Sequence, residues 1–245
     1  MFRLCCARLF DAFLCRFARG NFSRRDAERE KTYQPFRSNE FLRLGGLLQF
    51  HVVAQDGVIR VEIHEDTSSP YKGLWSEFFS GAWEPETFII FRDFIGDGGI
   101  VVDAGAAMGM TALLAATCAK NVRVIAIEPY RPFLAELSAN IAQNPHLKIS
   151  LYKGAIGDFN GEAPLQKESS NNKLFSDIVI SSTEHDKGYT VEVATLSSIM
   201  SKFDLERLDF FKIDIEGGEY RVLPACRDVF RRHRPTIRGV WCDLQ

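Results

Sequence analysis

The chain of 245 residues lacks any apolar run approaching the roughly 18 residues that cross a bilayer. It also lacks a C-x-x-C pair. Its cysteines (Cys5, Cys6, Cys15, Cys118, Cys226 and Cys242) are scattered, which argues against a zinc site and a dense disulfide framework and for a reducing compartment. Charge of one sign is missing too: the net charge of -2 carries no nucleic-acid signature. There is no internal repeat and no low-complexity tract. These absences favour a soluble intracellular protein. What is present is ordinary globular composition, 46% apolar and 25% charged, in a chain long enough for one large domain or two small ones.

Three segments follow from the pattern. Residues 1–39 form an arm and linker. In MFRLCCARLFDAFLCRFARG, Phe2, Cys6, Leu9, Phe10, Phe13 and Phe17 share one helical face, while Arg8, Asp11, Arg16 and Arg19 fall on the other. Three readings stay open for it: a helix making peripheral membrane contact, an organellar presequence, or a helix packed on the domain. Residues 40–95 form a second segment. LLQFHVVAQDGVIRVEIHE predicts a hairpin turning at Gln55-Asp56-Gly57. Helices are expected around Leu74–Phe79 and over Glu86–Ile95, with Pro85 suited to a helix start. Residues 96–245 alternate strand and helix: IVVDAG, VRVIAIEP, KISLYKGAIGD, LDFFKIDIE and PTIRGVWCDL read as strands. This predicts an α/β fold, a doubly wound and mainly parallel sheet with helices on both faces. Pro224 is expected to split or kink the helix after the fourth strand.

Open parallel sheets bind ligands outside the carboxyl ends of their strands. At those ends stand Asp103-Ala104-Gly105-Ala106-Ala107-Met108-Gly109, then Glu128-Pro129, then the segment Gly154–Asp158, then Asp214-Ile215-Glu216-Gly217-Gly218. The glycine loop is G-x-x-x-G, with Ala107 where a dinucleotide fingerprint needs glycine, and no Lys-Ser/Thr follows as in a P-loop. Glu128 ends the next strand, where a carboxylate can accept both hydroxyls of a ribose, a geometry that nicotinamide and S-adenosyl cofactors share. Glu219 falls in the first turn of the next helix, where an acid suits the dipole.

VVDAGAAMGMTALLAA, AIEPYRPFLAELSANIAQN, GAIGDFNGE, TLSSIMSKFDLERLDFFKIDIEGGEYRVL and the upstream GAWEPETF together resemble the FkbM family of S-adenosylmethionine-dependent methyltransferases, over about Gly81 to Val240. The resemblance implies a Rossmann-like class I fold with S-adenosylmethionine as cofactor. It also implies methyl transfer to an oxygen of a sugar, polyketide or related metabolite, so that the partner is a small-molecule or glycan acceptor and not nucleic acid. It places Asp103, Gly105 and Gly109 around the methionine part and Glu128 at the ribose, with Asp158 and the backbone at Ile156 at the adenine. Ala106, Met110, Thr111 and Pro129 join the cofactor positions, and Glu84 closes the site. Asp214 or Glu216 becomes the base or acceptor anchor, with Lys212 a lesser helper and otherwise a snorkelling surface lysine.

The chain departs from that pattern at its end. It stops at Gln245, where a fold of this kind adds a helix and two strands, and Trp241-Cys242-Asp243 stands where the family tends to place Glu and a nearby His. Truncation, cover by the N-terminal hairpin, or a partner at the fifth-strand edge would each account for it, and an uncovered edge favours oligomers. Two other functions compete: a non-catalytic methyltransferase-like binding protein, and a nicotinamide-dependent dehydrogenase, disfavoured by Ala107 and by the lack of an evident Tyr-x-x-x-Lys pair.

Overall fold

The apolar runs of the C-terminal segment form one parallel sheet. In the computed structural model the described residues are 42–44, 47–54, 57–64, 73–79, 83–167, 178–180 and 189–239. The arm over 1–39 and the Trp241-Cys242-Asp243 segment lie outside them. Backbone contacts divide the chain into two units, Met1–Pro35 and Phe36–Gln245, and all described residues belong to the second.

In chain order the elements are β1 (Leu42–Leu44), β2 (Leu47–Ala54), β3 (Gly57–His64), α1 (Leu74–Phe79), α2 (Pro85–Phe94), β4 (Ile100–Ala104), α3 (Met110–Thr117), β5 (Arg123–Ile127), α4 (Arg131–Gln143) and β6 (Lys148–Tyr152). Then come β7 (Ala155–Ile156), β8 (Gly161–Lys167), β9 (Ile178–Ile180), β10 (Tyr189–Ala194), α5 (Leu196–Lys202), β11 (Phe210–Ile213), α6 (Glu219–Ala225), α7 (Arg227–His233) and β12 (Thr236–Gly239). The central sheet runs β12-β11-β4-β5-β6 with every neighbouring pair parallel. Strand order reverses between β4 and β11, and a ligand crevice opens at that switch.

Period-two alternation decides which side chain meets which layer. Val101, Val124, Ala126 and Phe210 face α1 to α4, and Phe91 of α2 meets Phe210 edge-on at 5.1 Å. Val102, Ala104, Ile125, Phe211 and Ile213 face α5 and α6. Asp103 and Lys212 share the first face, in direct register with one another, and Arg238 stands beside Lys212.

The hairpin forms as read, with Ala54 opposite Gly57. It does not cover the β12 edge. Val61 and Ile63 enter the core beside Leu137 of α4, and the Glu62 N–H donates to Asn144 Oδ1 at 2.9 Å. Apolar burial on α4 outweighs strand pairing at β12, whose outer edge has no strand partner among the described residues.

The third predicted strand divides. β6 stays in the central sheet, while β7 joins a four-stranded sheet β7-β10-β8-β9. Ile156 and Asp158 therefore hang from this smaller sheet beside the strand ends. Thr195 caps α5, its hydroxyl accepting from Ser198 N at 3.3 Å. The chain breaks between α6 and α7 at Cys226, just after Pro224. No helix among the described residues is long and apolar enough to cross a membrane.

Candidate functional site

A cavity of about 530 Å³ opens at the carboxyl ends of β4, β5 and β11. Sites for small molecules commonly span roughly 300–1,000 Å³. Glu84, Gly105, Ala106, Met110, Thr111, Glu128, Pro129, Ile156, Asp158, Lys212, Asp214 and Glu216 all line it. Of the residues the sequence singled out, Asp103 and Gly109 lie behind this wall.

The glycine loop is held from below. Gly105 takes φ +78°, and a Cβ there would sit 1.9 Å from the Asp214 carbonyl oxygen. Only glycine lets the loop and the end of β11 touch backbone to backbone. The Gly105 and Ala106 N–H groups donate to Ile127 O at 3.0 Å. Asp103, 1% exposed, accepts from Thr111 Oγ1 at 2.6 Å through one carboxylate oxygen. Its other oxygen takes no hydrogen bond and pairs with Lys212 Nζ at 3.2 Å.

Lys212 is a buried brace rather than a snorkelling surface residue. It is 4% exposed and donates to the Gly105 carbonyl at 2.8 Å. Burial alone lowers the pKa of an ammonium, but Asp103 and Asp214 outweigh that and raise it. It therefore stays charged, and a proton acceptor it is not.

Glu128 is 4% exposed. One oxygen accepts from Ala107 N at 2.8 Å, the other from Tyr130 N at 2.7 Å. A carboxylate offers about four lone-pair sites, so each oxygen keeps acceptor capacity on the cavity side. Burial pushes its pKa up to about 7, against the lowering effect of those two N–H groups and of Lys212.

The acidic strand end has a different character. Asp214 is half-buried, and its pKa is raised by burial first, with Lys212 acting in the opposite direction. Glu216 stands at φ +55° and Gly217 at φ +102°. At the rim, Arg221 Nη2 meets both Asp158 oxygens at 3.1 Å. On the far side Glu84, at φ +49°, accepts from Thr87 Oγ1 at 3.1 Å and from Arg238 Nη2 at 3.0 Å. Arg238 is 6% exposed.

The rest of the wall is apolar: Phe78, Trp83, Phe133 and Phe159 line it as well. None of these carried a site signal. Phe133 reads as a core position on a helical face, and Trp83 adjoins Glu84 in a segment quoted for its likeness alone. The partnerships of Arg221 and Arg238 span 63 and 154 residues, so no local pattern announces them.

These side chains fit an S-adenosyl cofactor. Glu128 lines the cavity with acceptor capacity beyond its two backbone bonds, Gly105 leaves the loop without a side chain, and the first residues of α3, Met110 and Thr111, line the cavity where a helix start suits a carboxylate. No cluster of His, Cys, Asp and Glu suited to a metal occurs among the described residues.

A family model described as the methyltransferase FkbM domain matches residues 103–243, more than half of the chain. The chain belongs to the FkbM methyltransferase family. S-adenosylmethionine is the cofactor of this assignment, and the residues above accommodate it. No curated protein matches the chain. Similar solved structures include an rRNA methylase from Streptococcus thermophilus at 13% identity and TM-score 0.37, covering 60% of this chain and 63% of that one. A precorrin-6y C5,15-methyltransferase from Geobacter metallireducens has 16% identity and TM-score 0.36, covering 61% and 55%. A SAM-dependent O-methyltransferase from Thermotoga maritima has 11% identity and TM-score 0.36, covering 77% and 59%. The chain thus spans less than two thirds of the length of each.

Proposed function

We propose that this FkbM-family chain transfers a methyl group from S-adenosylmethionine to a hydroxyl oxygen of a small-molecule or glycan acceptor. The observation that carries the reading is the contact between Gly105 and the Asp214 carbonyl, which sets the cofactor loop directly against the acidic strand end. When bound, the cofactor supplies a methyl carbon on a positively charged sulfur. Glu128 takes the ribose hydroxyls. Ala106, Met110 and Thr111 bound the methionine part, with Asp103 and Gly109 supporting them from behind. Pro129, Ile156 and Asp158 bound the adenine side, and Glu84 closes the far side.

A hydroxyl is a poor nucleophile and gains from a base within hydrogen-bond reach. Asp214 and Glu216 line the cavity and would take the proton of an acceptor hydroxyl there. Burial raises the Asp214 pKa and so makes it a stronger base than an ordinary carboxylate. The same acids attract the sulfonium by Coulomb force, an attraction that fades as its charge is lost. Lys212 contributes by holding Asp103 and the Gly105 carbonyl, which fixes the loop's geometry.

Calorimetry with S-adenosylmethionine, S-adenosylhomocysteine and NAD tests the cofactor. Binding of NAD alone overturns the reading. Transfer of labelled methyl to a panel of sugars, polyketide-like alcohols and RNA tests the acceptor. Asp214→Asn and Glu216→Gln should lower transfer while retaining cofactor affinity. Normal transfer in both removes the base assignment, and cofactor binding without transfer to any acceptor favours a non-catalytic binding protein.

A further inference from the structure

Glu219 has a stronger structural role than a helix-dipole acid. It is fully buried, and its carboxylate turns back from α6 to the preceding loop. One oxygen accepts from Ile215 N at 2.6 Å, the other from Gly217 N at 2.8 Å. Between those two N–H groups stands Glu216 at φ +55°, followed by Gly217 at φ +102°. A left-handed conformation is strained for a side-chain-bearing residue, and such strain persists where the surroundings over-determine it. Two charge-assisted bonds from one buried carboxylate supply that determination. The turn also closes through Gly218 N to Ile215 O at 3.4 Å, and Asp214 is anchored at its start by its N–H to Ala104 O at 3.0 Å.

We infer that Glu219 is a positioning residue, whose buried carboxylate locks the Ile215–Gly217 turn so that Asp214 and Glu216 are presented to the cavity. The inference rests on the reading of those two acids given above. Glu219 does not line the cavity. It acts through the turn, and through its charge on Asp214. The charged groups facing Asp214 are Lys212 on the same strand, Glu84 before α2, Arg238 on β12 and Glu219 itself. Removing the Glu219 charge leaves Asp214 with less repulsion, so it ionises at lower pH.

The test uses the full chain with Glu219→Gln and Glu219→Asp. S-adenosylmethionine carries the sulfonium charge and S-adenosylhomocysteine does not, so the ratio of their affinities reads the carboxylates of the turn. In Glu219→Gln the ratio should fall about tenfold, the scale of one charge-assisted bond. The pH midpoint of the ratio should move down, because one repelling charge beside Asp214 is gone. Glu219→Asp keeps the charge but shortens the reach, so the ratio should fall while the midpoint stays. Equal weakening of both ligands with an unmoved midpoint in Glu219→Gln marks a merely structural residue and overturns the inference. Should Glu219→Gln not fold, an unchanged ratio in Glu219→Asp overturns it. Amide exchange of Ile215 and Gly217 in the ligand-free protein separates the two readings. Slow exchange in the parent chain that is no slower than in the variants sinks the role of Glu219. Slow exchange specific to the parent, without S-adenosyl binding, sinks the proposed function alone.

Discussion

The two walls of the cavity are built on opposite plans. On the β4–β5 side, Glu128 is deeply buried and held by two backbone N–H groups, while Asp103 lies beneath the loop against Thr111 and Lys212. On the β11 side, Asp214 and Glu216 are only half-buried and stand at a turn with two left-handed residues. The first wall resembles a binding surface, with carboxylates held in place before a ligand arrives. The second keeps strain and partly exposed carboxylates, features that collect where chemistry is done. An acid's neighbours, more than its position at a strand end, decide how it is buried and which groups it meets.

Gly105→Ala should break both walls together, since it lies where they touch. Its Cβ would meet the Asp214 carbonyl at 1.9 Å at a left-handed φ. Loss of S-adenosylhomocysteine binding and a stability loss of roughly 4 kcal/mol or more are expected, read by calorimetry and denaturant melts. Near-parental binding would show that the walls are not in contact.

Glu128→Gln should damage the binding wall alone. An amide cannot accept both backbone N–H groups, so cofactor affinity should fall about 100-fold, near 3 kcal/mol. The parent should also show a pH signature. Its Glu128 pKa near 7 lies above the ordinary 4.5. Between those values the folded chain holds a proton that the unfolded chain has lost. The stability this provides is fully present below 4.5 and is lost as pH rises through 7. Ribose hydroxyls favour the ionised form, so cofactor affinity should fall as pH drops below 7, with proton release on binding. A flat profile in Glu128→Gln assigns the effect, and a flat profile in the parent removes it.

Arg238→Gln should loosen the β11 side from a distance. It strips Glu84 of a buried partner, but the Glu84 side chain is 24% exposed and can hydrate. A stability loss of about 2 kcal/mol is therefore expected, below the roughly 3–5 kcal/mol of a fully buried pair. Arg221→Ala should change least. Its pair with Asp158 is exposed at 63% and 34%, and such pairs contribute roughly 0–1 kcal/mol. A tenfold change in cofactor affinity there would show that the rim, too, is part of the binding wall.

Much of this was legible locally. The strand-end positions of Asp103, Gly105, Glu128, Asp214 and Glu216 are legible because strand ends and glycine loops have short-range signatures. From the sequence Glu219 reads as a helix-dipole acid, because its i to i−4 reach back to Ile215 N depends on a turn whose φ values no pattern reveals. Lys212 alternates with apolar neighbours as a surface lysine would. Only the register with Asp103 across β4 shows that it is buried.

The α/β class, the hairpin, the strand ends that carry acids and the family likeness are all local properties of the chain, since each follows from periodicity and turn chemistry along a few residues. Tertiary structure alone decided that Glu84 meets Arg238, that Lys212 braces the glycine loop, that the hairpin packs on α4 and that Glu219 caps the acidic turn. Those outcomes depend on which elements become neighbours, and burial and charge pairing across distant segments set the balance there, beyond the reach of any local pattern.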